Sequence, residues 1–279
     1  MFSIRKMSSE DFEFAVRLTD TMEWGLVEED FEFMMKLEPD GCFILLSNSE
    51  RVGLTTATRY GEVGWLGNII VSEHHRGKGG GSLLVTHATE YLEKKGVKTI
   101  GLYAYLDRIP FYARHNFKSD LEFAAVSGKA FFASSEAHVE KADEADLPEI
   151  IGLDRSCFGE SRNKLLEPIL LNPNNLCYVV KDNGQILGFA VAKVYGEASE
   201  IGPLVCEKGC DDVAVVLLKV ILSELEGCKV YLYLPKKETS ILNLLIRHGF
   251  REDFRLARMF RGTPVVNDCI YLAESLERG

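Results

Sequence analysis

Hydrophobic and polar positions along the first half of the chain follow two different periods, which predict an alternation of strands and helices. Three apolar runs, rich in Val, Ile, Thr and aromatic residues and interrupted by glycines, predict three successive strands at residues 42–47, 52–60 and 63–72. From Leu83 to Leu92 the apolar positions recur at helical spacing, and this predicted helix ends at Lys94-Lys95-Gly96. A further strand is predicted at residues 97–103.

The complete order predicted for this part of the chain is a strand, two helices, three strands, a helix, a strand, a helix and a hairpin-like remainder. The first helix is expected to begin after Ser8-Ser9-Glu10-Asp11, because these side chains can cap the free amides of a helix start. A chain in which strands and helices follow one another in this order is predicted to have a mixed α/β (α+β) fold.

The same pattern occurs twice. Gly53, Tyr60-Gly61-Glu62 and Gly67 recur at a constant offset of 135 (188 − 53) as Gly188, Tyr195-Gly196-Glu197 and Gly202. Arg114-His115-Asn116-Phe117 recurs as Arg247-His248-Gly249-Phe250, at an offset of 133 (247 − 114). An offset of this size is the length of a domain rather than of a solenoid repeat. We therefore predict two copies of one fold, at residues 1–133 and 137–279, joined by small and polar residues.

Composition and charge restrict the partners. The 279 residues are 46% hydrophobic and 27% charged, with a net charge of −10, which argues against binding to nucleic acid or to an anionic membrane. The N-terminal residues contain no secretory apolar stretch, and we expect a cytoplasmic protein. Seven scattered cysteines are expected to be reduced core residues, and no metal site is predicted.

The segment between Val71 and the predicted helix contains Arg76-Gly77-Lys78-Gly79-Gly80-Gly81-Ser82. Consecutive glycines allow backbone amides to surround an anion, and the following helix adds the positive end of its dipole. The loop is therefore suited to phosphate, although a Gly-rich basic loop can also be a plain surface turn. A P-loop is excluded because Gly79 follows Lys78, and a dinucleotide fingerprint is excluded because Ser82 stands where Gly is required.

Two motifs resemble those of the GNAT N-acetyltransferase superfamily. Arg76, Gly79 and Gly81 match its Arg/Gln-x-x-Gly-x-Gly/Ala loop between a strand and a helix. Phe111-Tyr112-Ala113-Arg114-His115-Asn116-Phe117 resembles its Phe/Leu-Tyr-x-x-x-Gly-Phe motif, with Asn116 in place of Gly. Asparagine also tolerates the left-handed conformation that follows a helix end.

The resemblance implies two tandem GNAT-like domains, each with a mixed, mostly antiparallel twisted sheet flanked by helices. It implies acetyl-CoA as cosubstrate, without a metal. The pantetheine arm would lie where the strand at 66–72 diverges from the strand at 98–103. The residues implied to bind acetyl-CoA are Ile69, Ile70, Val71, Arg76, Gly77, Lys78, Gly79, Gly80, Gly81 and Ser82. Tyr112 would give a proton to the departing thiolate; otherwise it packs between helix and sheet.

The implied reaction is direct attack of an amine, on a small molecule or a protein, on the acetyl carbonyl. Asn68 could orient a water or the acceptor, or it could simply occupy a turn or bulge. Trp24 could line the acceptor pocket or, equally, pack beneath the sheet. Glu62 and Glu73 are candidates for proton acceptor, but solvated carboxylates at strand ends are favoured. Glu62 is also expected, with Trp24, to bind the acceptor. Oligomeric state is left open.

In the second copy, the offset of 135 sets Asp211 opposite Arg76, and Ala214 and Val216 opposite Gly79 and Gly81. An anion and added side chains oppose phosphate binding. We therefore expect this copy to lack coenzyme A and to act as a support or in acceptor recognition, or to be structural only. The alternatives to an enzyme are an acyl-CoA-binding sensor or a scaffold.

Overall fold

Strands and helices follow the same order in both halves of the chain. The computed structural model describes residues 1–133, 139–264 and 269–279, so the residues predicted to join the two domains, 134–136, lie outside the described part. The elements of the first half are β1 (Phe2–Lys6), α1 (Phe12–Asp20), α2 (Glu28–Leu37), β2 (Cys42–Ser47), β3 (Glu50–Tyr60), β4 (Val63–Val71), α3 (Gly80–Lys94), β5 (Thr99–Tyr105), α4 (Ile109–Ala113) and β6 (Lys118–Lys129).

The second half repeats this order. Its elements are β7 (Glu140–Lys141), α5 (Leu147–Phe158), α6 (Asn163–Leu170), β8 (Leu176–Asp182), β9 (Gln185–Tyr195), β10 (Ala198–Cys206), α7 (Asp211–Glu224), β11 (Lys229–Pro235), α8 (Thr239–Arg247), β12 (Arg251–Arg261) and β13 (Ile270–Leu272). The bounds of β9 and β10 are those of β3 and β4 displaced by the offset found in the sequence. The predicted repeat of one α/β fold is confirmed.

The start of α1 shows how local sequence sets an element. The amide nitrogen of Ser8 donates to a carboxylate oxygen of Asp11 at 2.8 Å, and a 3-10 turn then leads into the helix at Phe12. The fully buried Asp11 carboxylate is paired with Arg5 at 2.7 Å and Arg51 at 2.8 Å. Burial is the largest single effect and opposes ionisation, but the hydrogen bonds from Arg5 and Ser8 and the charge of Arg5 together outweigh it and lower the pKa of Asp11 to about 2.

The sheet is continuous across the two halves because they exchange a strand. Its order is β1-β2-β3-β4-β5-β12-β6-β11-β10-β9-β8-β7. β12 pairs with β5 from Leu256–Tyr105 to Arg261–Ile100, and β6 pairs with β11 in the second half. The hairpin-like remainder predicted after α4 is wrong: β6 is a single strand, and the strands beside it come from the other copy.

Each half contains one parallel pair of strands that separates after a few residues. β4 pairs with β5 from Val63–Thr99 to Trp65–Gly101, and the strands then diverge. β10 pairs with β11 from Ala198–Lys229 to Ile201–Leu232. The predicted divergence of β4 from β5 is therefore present in the structure.

An apolar cluster shared by both halves joins them. The Tyr60 and Phe158 rings meet edge to face with centroids 5.5 Å apart, and those of Trp65 and Phe260 with centroids 5.9 Å apart. Beneath this cluster, Arg162 is only 1% exposed and is held by Asp154 through hydrogen bonds of 3.0 and 2.6 Å. Arg162 also donates to the backbone carbonyl oxygen of Gly279 and therefore links the residue that precedes α6 to Gly279.

Removal of the Asp154 carboxylate would leave a buried, unpaired guanidinium. We predict that Asp154→Ala lowers the free energy of unfolding by about 3–5 kcal/mol, measured by urea denaturation at pH 7. Arg155→Ala, at an exposed position one residue further along α5, should change it by no more than about 0.5 kcal/mol. Equal effects of the two substitutions would contradict a structural role for the pair.

Candidate functional site

The glycine-rich loop joins β4 to α3 through two glycines with left-handed backbones. Gly77 has φ +75° and Gly79 has φ +89°, and a Cβ atom added to either would meet no atom of the described residues within 4 Å beyond its own chain neighbours. The loop is therefore open on its outer side. α3 begins at Gly80, and the amides of a first helical turn have no partners within their own helix. This arrangement is suited to the oxygens of a phosphate or diphosphate.

Two cations border the loop. The Nε of Arg76 donates to the Val71 carbonyl oxygen at 2.8 Å, and the Nζ of Lys78 donates to the His74 carbonyl oxygen at 2.9 Å. Both residues are exposed. Each is tethered to the backbone beside the open loop, so both add positive charge where the helix dipole is already positive.

The start of α3 packs too closely on its neighbours to accept side chains freely. A Cβ on Gly80 would lie 2.8 Å from the Leu45 side chain, and one on Gly81 would lie 3.4 Å from Phe111. The Ser82 side chain contacts the residues that follow α4, because its Oγ lies 3.2 Å from Nε2 of His115. The loop is thereby anchored to β2 and to the α4 region.

A groove between β4 and β5 continues from the loop. Ile70 and Val71 pair with Leu54 and Gly53 of β3. Among the described strands, pairing of β4 with β5 ends at Trp65–Gly101. Residues 69–71 therefore present the strand edge opposite β3 to the gap, where an extended molecule could use their backbone groups.

Asn68 forms a bulge in β4, three residues beyond the end of the pairing with β5. Its backbone is left-handed, with φ +52°, and its Nδ2 lies 3.1 Å from the Met34 sulfur and 3.3 Å from the Thr56 hydroxyl oxygen. Its buried Oδ1 has no hydrogen-bond partner among the described residues. A buried acceptor left unpaired is costly unless a ligand or water completes it.

Tyr112 lies on α4 and is 8% exposed. Its ring meets those of Phe111 and Phe117 at centroid distances of 4.9 and 6.2 Å, in an apolar cluster that includes Ile69 of β4. Burial raises the pKa of Tyr112, so the phenol keeps its proton at neutral pH. Asn116 has the left-handed backbone expected after the helix end, with φ +65°.

Trp24 and Tyr105 meet at the carboxyl end of β5, on the side where β4 and β5 have separated. Nε1 of Trp24, in the loop between α1 and α2, donates to the hydroxyl oxygen of Tyr105 at 3.2 Å. Both side chains are partly exposed. The structure thus brings Trp24 to the end of β5.

The two carboxylates considered from sequence lie elsewhere. Glu62 is exposed and pairs with Lys98 at 2.6 Å, at the start of β4 and therefore about 20 Å along the strand from Ile69. The expectation that Glu62 lines the acceptor pocket does not agree with this position. Glu73 is exposed in the 3-10 turn that follows β4.

Sequence reasoning missed the contribution of the last residues of the chain. A Cβ on Gly67 would lie 2.5 Å from the Glu277 carbonyl oxygen, and one on Gly202 would lie 1.9 Å from the Ala273 carbonyl oxygen. These two glycines are equivalent in the repeat. A glycine within a strand often marks a close approach of another backbone, and this signal was present in the sequence.

The corresponding groove of the second half is filled by the chain itself. β13 pairs with β10 at Leu204–Leu272 and Val205–Ile270, beyond the point where pairing of β10 with β11 ends. The Tyr271 hydroxyl donates to Asp211, the first residue of α7. The backbone edge that remains accessible in the first half is thus occupied in the second.

Two family models match the chain, one in each half. The model described as "Acetyltransferase (GNAT) family" matches residues 3–117, and that described as "Acetyltransferase (GNAT) domain" matches residues 150–271. The chain belongs to the GNAT acetyltransferases. Both copies of the repeat are therefore GNAT domains by sequence as well as by fold.

Relatives of this GNAT protein are distant but extend over most of its length. It is 23% identical to the holothin acyltransferase of Pseudoalteromonas sp. (strain SANK 73390), over 86% of this chain and 83% of the relative. It is 22% identical to the uncharacterized N-acetyltransferase YitH of Bacillus subtilis (strain 168), over 76% and 75%.

Solved structures share the fold. A provisionally assigned acetyltransferase of Pyrococcus horikoshii superposes with a TM-score of 0.83 at 21% identity, covering 100% of this chain and 96% of the other. A tandem GNAT protein from the clavulanic acid biosynthesis pathway superposes with a TM-score of 0.62 at 13% identity, covering 95% and 100%. The mixed, mostly antiparallel tandem GNAT fold is thereby established.

The cysteines of this GNAT protein are all free, and four of the seven are buried. Within residues 1–133, 139–264 and 269–279, no group of three or more His, Cys, Asp or Glu side chains is arranged to hold a metal ion. None of the helices described combines the length and apolar character needed to cross a bilayer.

The left-handed backbone of the loop can be tested in this GNAT protein without a ligand. We predict that Gly79→Ala lowers the free energy of unfolding by about 1–2 kcal/mol, because a Cβ strains this conformation although space is available. Urea denaturation measures the change. Lys78→Ala in the same loop should change the free energy by no more than about 0.5 kcal/mol, and a neutral Gly79→Ala would contradict the loop conformation.

Proposed function

We propose that this protein is an acetyl-CoA-dependent N-acyltransferase whose active site lies in the first half. The observation that carries the proposal is the open loop at the start of α3, with Gly77 and Gly79 unobstructed, leading directly into the gap between β4 and β5. A diphosphate and an extended arm joined to it have the shape of this continuous surface.

Residues of the loop and of β4 would hold the cosubstrate. Amides at Gly77–Ser82, with Arg76 and Lys78, would bind the diphosphate. Backbone groups of Ile69, Ile70 and Val71 would bind the pantetheine arm along the free edge of β4. The thioester would then lie beside the Asn68 bulge, where the unpaired Oδ1 could bind the acceptor amine or a water.

The proposed reaction is direct transfer, without a covalent enzyme intermediate. The amine nitrogen attacks the thioester carbonyl carbon, and the carbon–sulfur bond breaks. An amide of β4 could stabilise the negative charge that develops on the carbonyl oxygen. Tyr112, which is buried and protonated, would donate its proton to the departing thiolate and recover one from the nitrogen.

We propose different roles for the halves, at residues 1–133 and 137–279. The absence of a matching glycine loop before α7, the acidic Asp211 and Asp212, and β13 in the equivalent groove all oppose coenzyme binding by the second half. This half instead supports the first and takes part in acceptor recognition.

The acceptor is proposed to be an amine on a small molecule or on a protein. The net charge of −10 favours an acceptor that arrives as a cation. The name of the Pseudoalteromonas relative, holothin acyltransferase, supports acyl transfer to a small molecule as one form of this activity.

Titration calorimetry with acetyl-CoA tests the loop. We predict saturable binding, and a loss of about 10–100-fold in affinity for Arg76→Glu, because charge-assisted contacts to a diphosphate are removed and repulsion is added. Arg155→Glu, an equal charge change at an exposed position of α5, should leave affinity unchanged. If Arg76→Glu binds as tightly as the native chain, the loop assignment is wrong.

Turnover tests the role of Tyr112. We predict that Tyr112→Phe reduces kcat by about 100-fold with unchanged acetyl-CoA affinity, measured by release of free thiol over a panel of amines, amino acids, aminoglycosides, polyamines and peptides. Tyr195→Phe, at an exposed position, serves as the control. Binding of acetyl-CoA without transfer to any acceptor would favour a sensor over an enzyme.

A further inference from the structure

The last seven residues, 273–279, which we name the C-terminal segment, run from the second half into the first. The amide nitrogen of Ala273 still donates to the Tyr233 carbonyl oxygen of β11, at 2.9 Å. Glu277 already lies on β4, with its backbone against Gly67, next to the Asn68 bulge. One short segment therefore connects the filled groove of the second half with the open groove of the first.

Hydrogen bonds fix the segment on both sides of Glu277. Nε1 of Trp65 donates to the Leu276 carbonyl oxygen at 3.4 Å, and the Tyr60 hydroxyl donates to the Arg278 carbonyl oxygen at 3.0 Å. Both donors lie in the shared apolar core. Glu277 is thus positioned by its neighbours rather than by its own side chain.

Acidic groups outnumber basic groups around this position. Glu274 binds Lys193 at 2.7 Å and Arg278 at 3.1 Å, and Lys193 also binds Glu200 at 2.9 Å. With Glu277, three carboxylates face two cations in this cluster. One negative charge is therefore available to attract a cation.

The charge and burial around Glu277 favour proton exchange near neutral pH. Burial raises its pKa to about 7; Glu200 and Glu274 add to this effect, while Arg278 opposes it. The phenols of Tyr105 and Tyr233 also face the carboxylate, and burial raises the pKa of both, so they remain neutral.

Aromatic side chains surround the approach. Trp24 and Tyr105 are joined by their hydrogen bond, and the Arg278 guanidinium lies 5.5 Å from the centre of the Phe33 ring. Trp24, Phe33, Tyr105 and Glu277 all keep partial exposure. The Phe33 ring already contacts a cation, and the partly exposed rings of Trp24 and Tyr105 can attract another one in the same way.

We propose that Glu277 accepts the proton of the acceptor amine, so that the C-terminal segment of the second half supplies a catalytic residue to the active site of the first. The acceptor class is a primary amine that arrives as its ammonium ion past Trp24 and Tyr105. This inference rests on the proposed function and explains why a half without a coenzyme groove is retained.

The protons of the reaction balance. The ammonium gives one proton to the Glu277 carboxylate, and its nitrogen then forms the bond to the thioester carbon while the carbon–sulfur bond breaks. A second proton passes from nitrogen to the departing thiolate through Tyr112, and the third remains on the amide product. Glu277 returns its proton to solvent before the next turnover.

The pH dependence of kcat/KM tests the proposal in the full-length protein. With acetyl-CoA and 2-phenylethylamine, spermidine or an N-terminally acetylated lysine-containing tripeptide, kcat/KM should rise about tenfold per pH unit below pH 7 and level off above it. These amines remain ammonium ions over that range and add no limb of their own. Glu277→Gln should lower kcat/KM by about 100-fold or more at pH 8 and abolish the rising limb.

Controls separate the possible failures. Glu277→Gln should bind acetyl-CoA with unchanged affinity in calorimetry. Glu277→Asp should restore part of the activity and part of the rise of kcat/KM with pH. Glu226→Gln, at an exposed position, should behave as the native protein does. If the native protein acetylates an amine and Glu277→Gln keeps the same kcat/KM and the same rise with pH, only this inference is overturned. If acetyl-CoA binds but neither these three amines nor any acceptor of the panel used for Tyr112 is acetylated, the proposed transferase activity is overturned, and this inference with it.

Discussion

The exchange of β6 and β12 is the constraint on which the rest of the structure depends. Because β12 pairs with β5, a strand of the second half forms part of the first domain's sheet. The residues that follow β12 must therefore leave the sheet of the first half and return to the second, where β13 pairs with β10. The last residues of the chain then cross the junction again to Gly67. Two domains related by a repeat thus become one body whose backbone cannot be divided at a single point.

The two halves share one architecture but differ in what lies in the gap between their parallel strands. In both, pairing stops after three or four residues, which exposes a strand edge. An exposed edge attracts whatever backbone can reach it. In the second half that backbone is β13. In the first half it remains accessible beside a glycine loop, and this difference supports coenzyme binding by one half alone.

The elements and the loop could be predicted from sequence because both depend on neighbouring residues. The runs that form β2, β3 and β4, and the helical spacing that forms α3, are local patterns, and the bounds of β9 and β10 follow from the repeat. The partners of β6 could not be predicted from sequence. Pairing with β11 and β12 satisfies the same backbone hydrogen bonds as a hairpin within the first half would. Glu62 was considered for its charge, yet the turn it occupies directs it toward Lys98.

The sequence by itself determined the tandem GNAT fold and the position of the glycine loop, since periodicity, glycine placement and motif spacing are properties of contiguous residues. Only the tertiary structure decided which half keeps an open groove and which carboxylate lies on it. Glu277 stands near the end of the chain and Gly67 in its first half, and their contact follows from the path of the exchanged strand and the charges buried at the junction. No local pattern encodes a contact between backbones so distant in sequence. The one local sign of it is Gly67, whose missing side chain makes room for the Glu277 backbone.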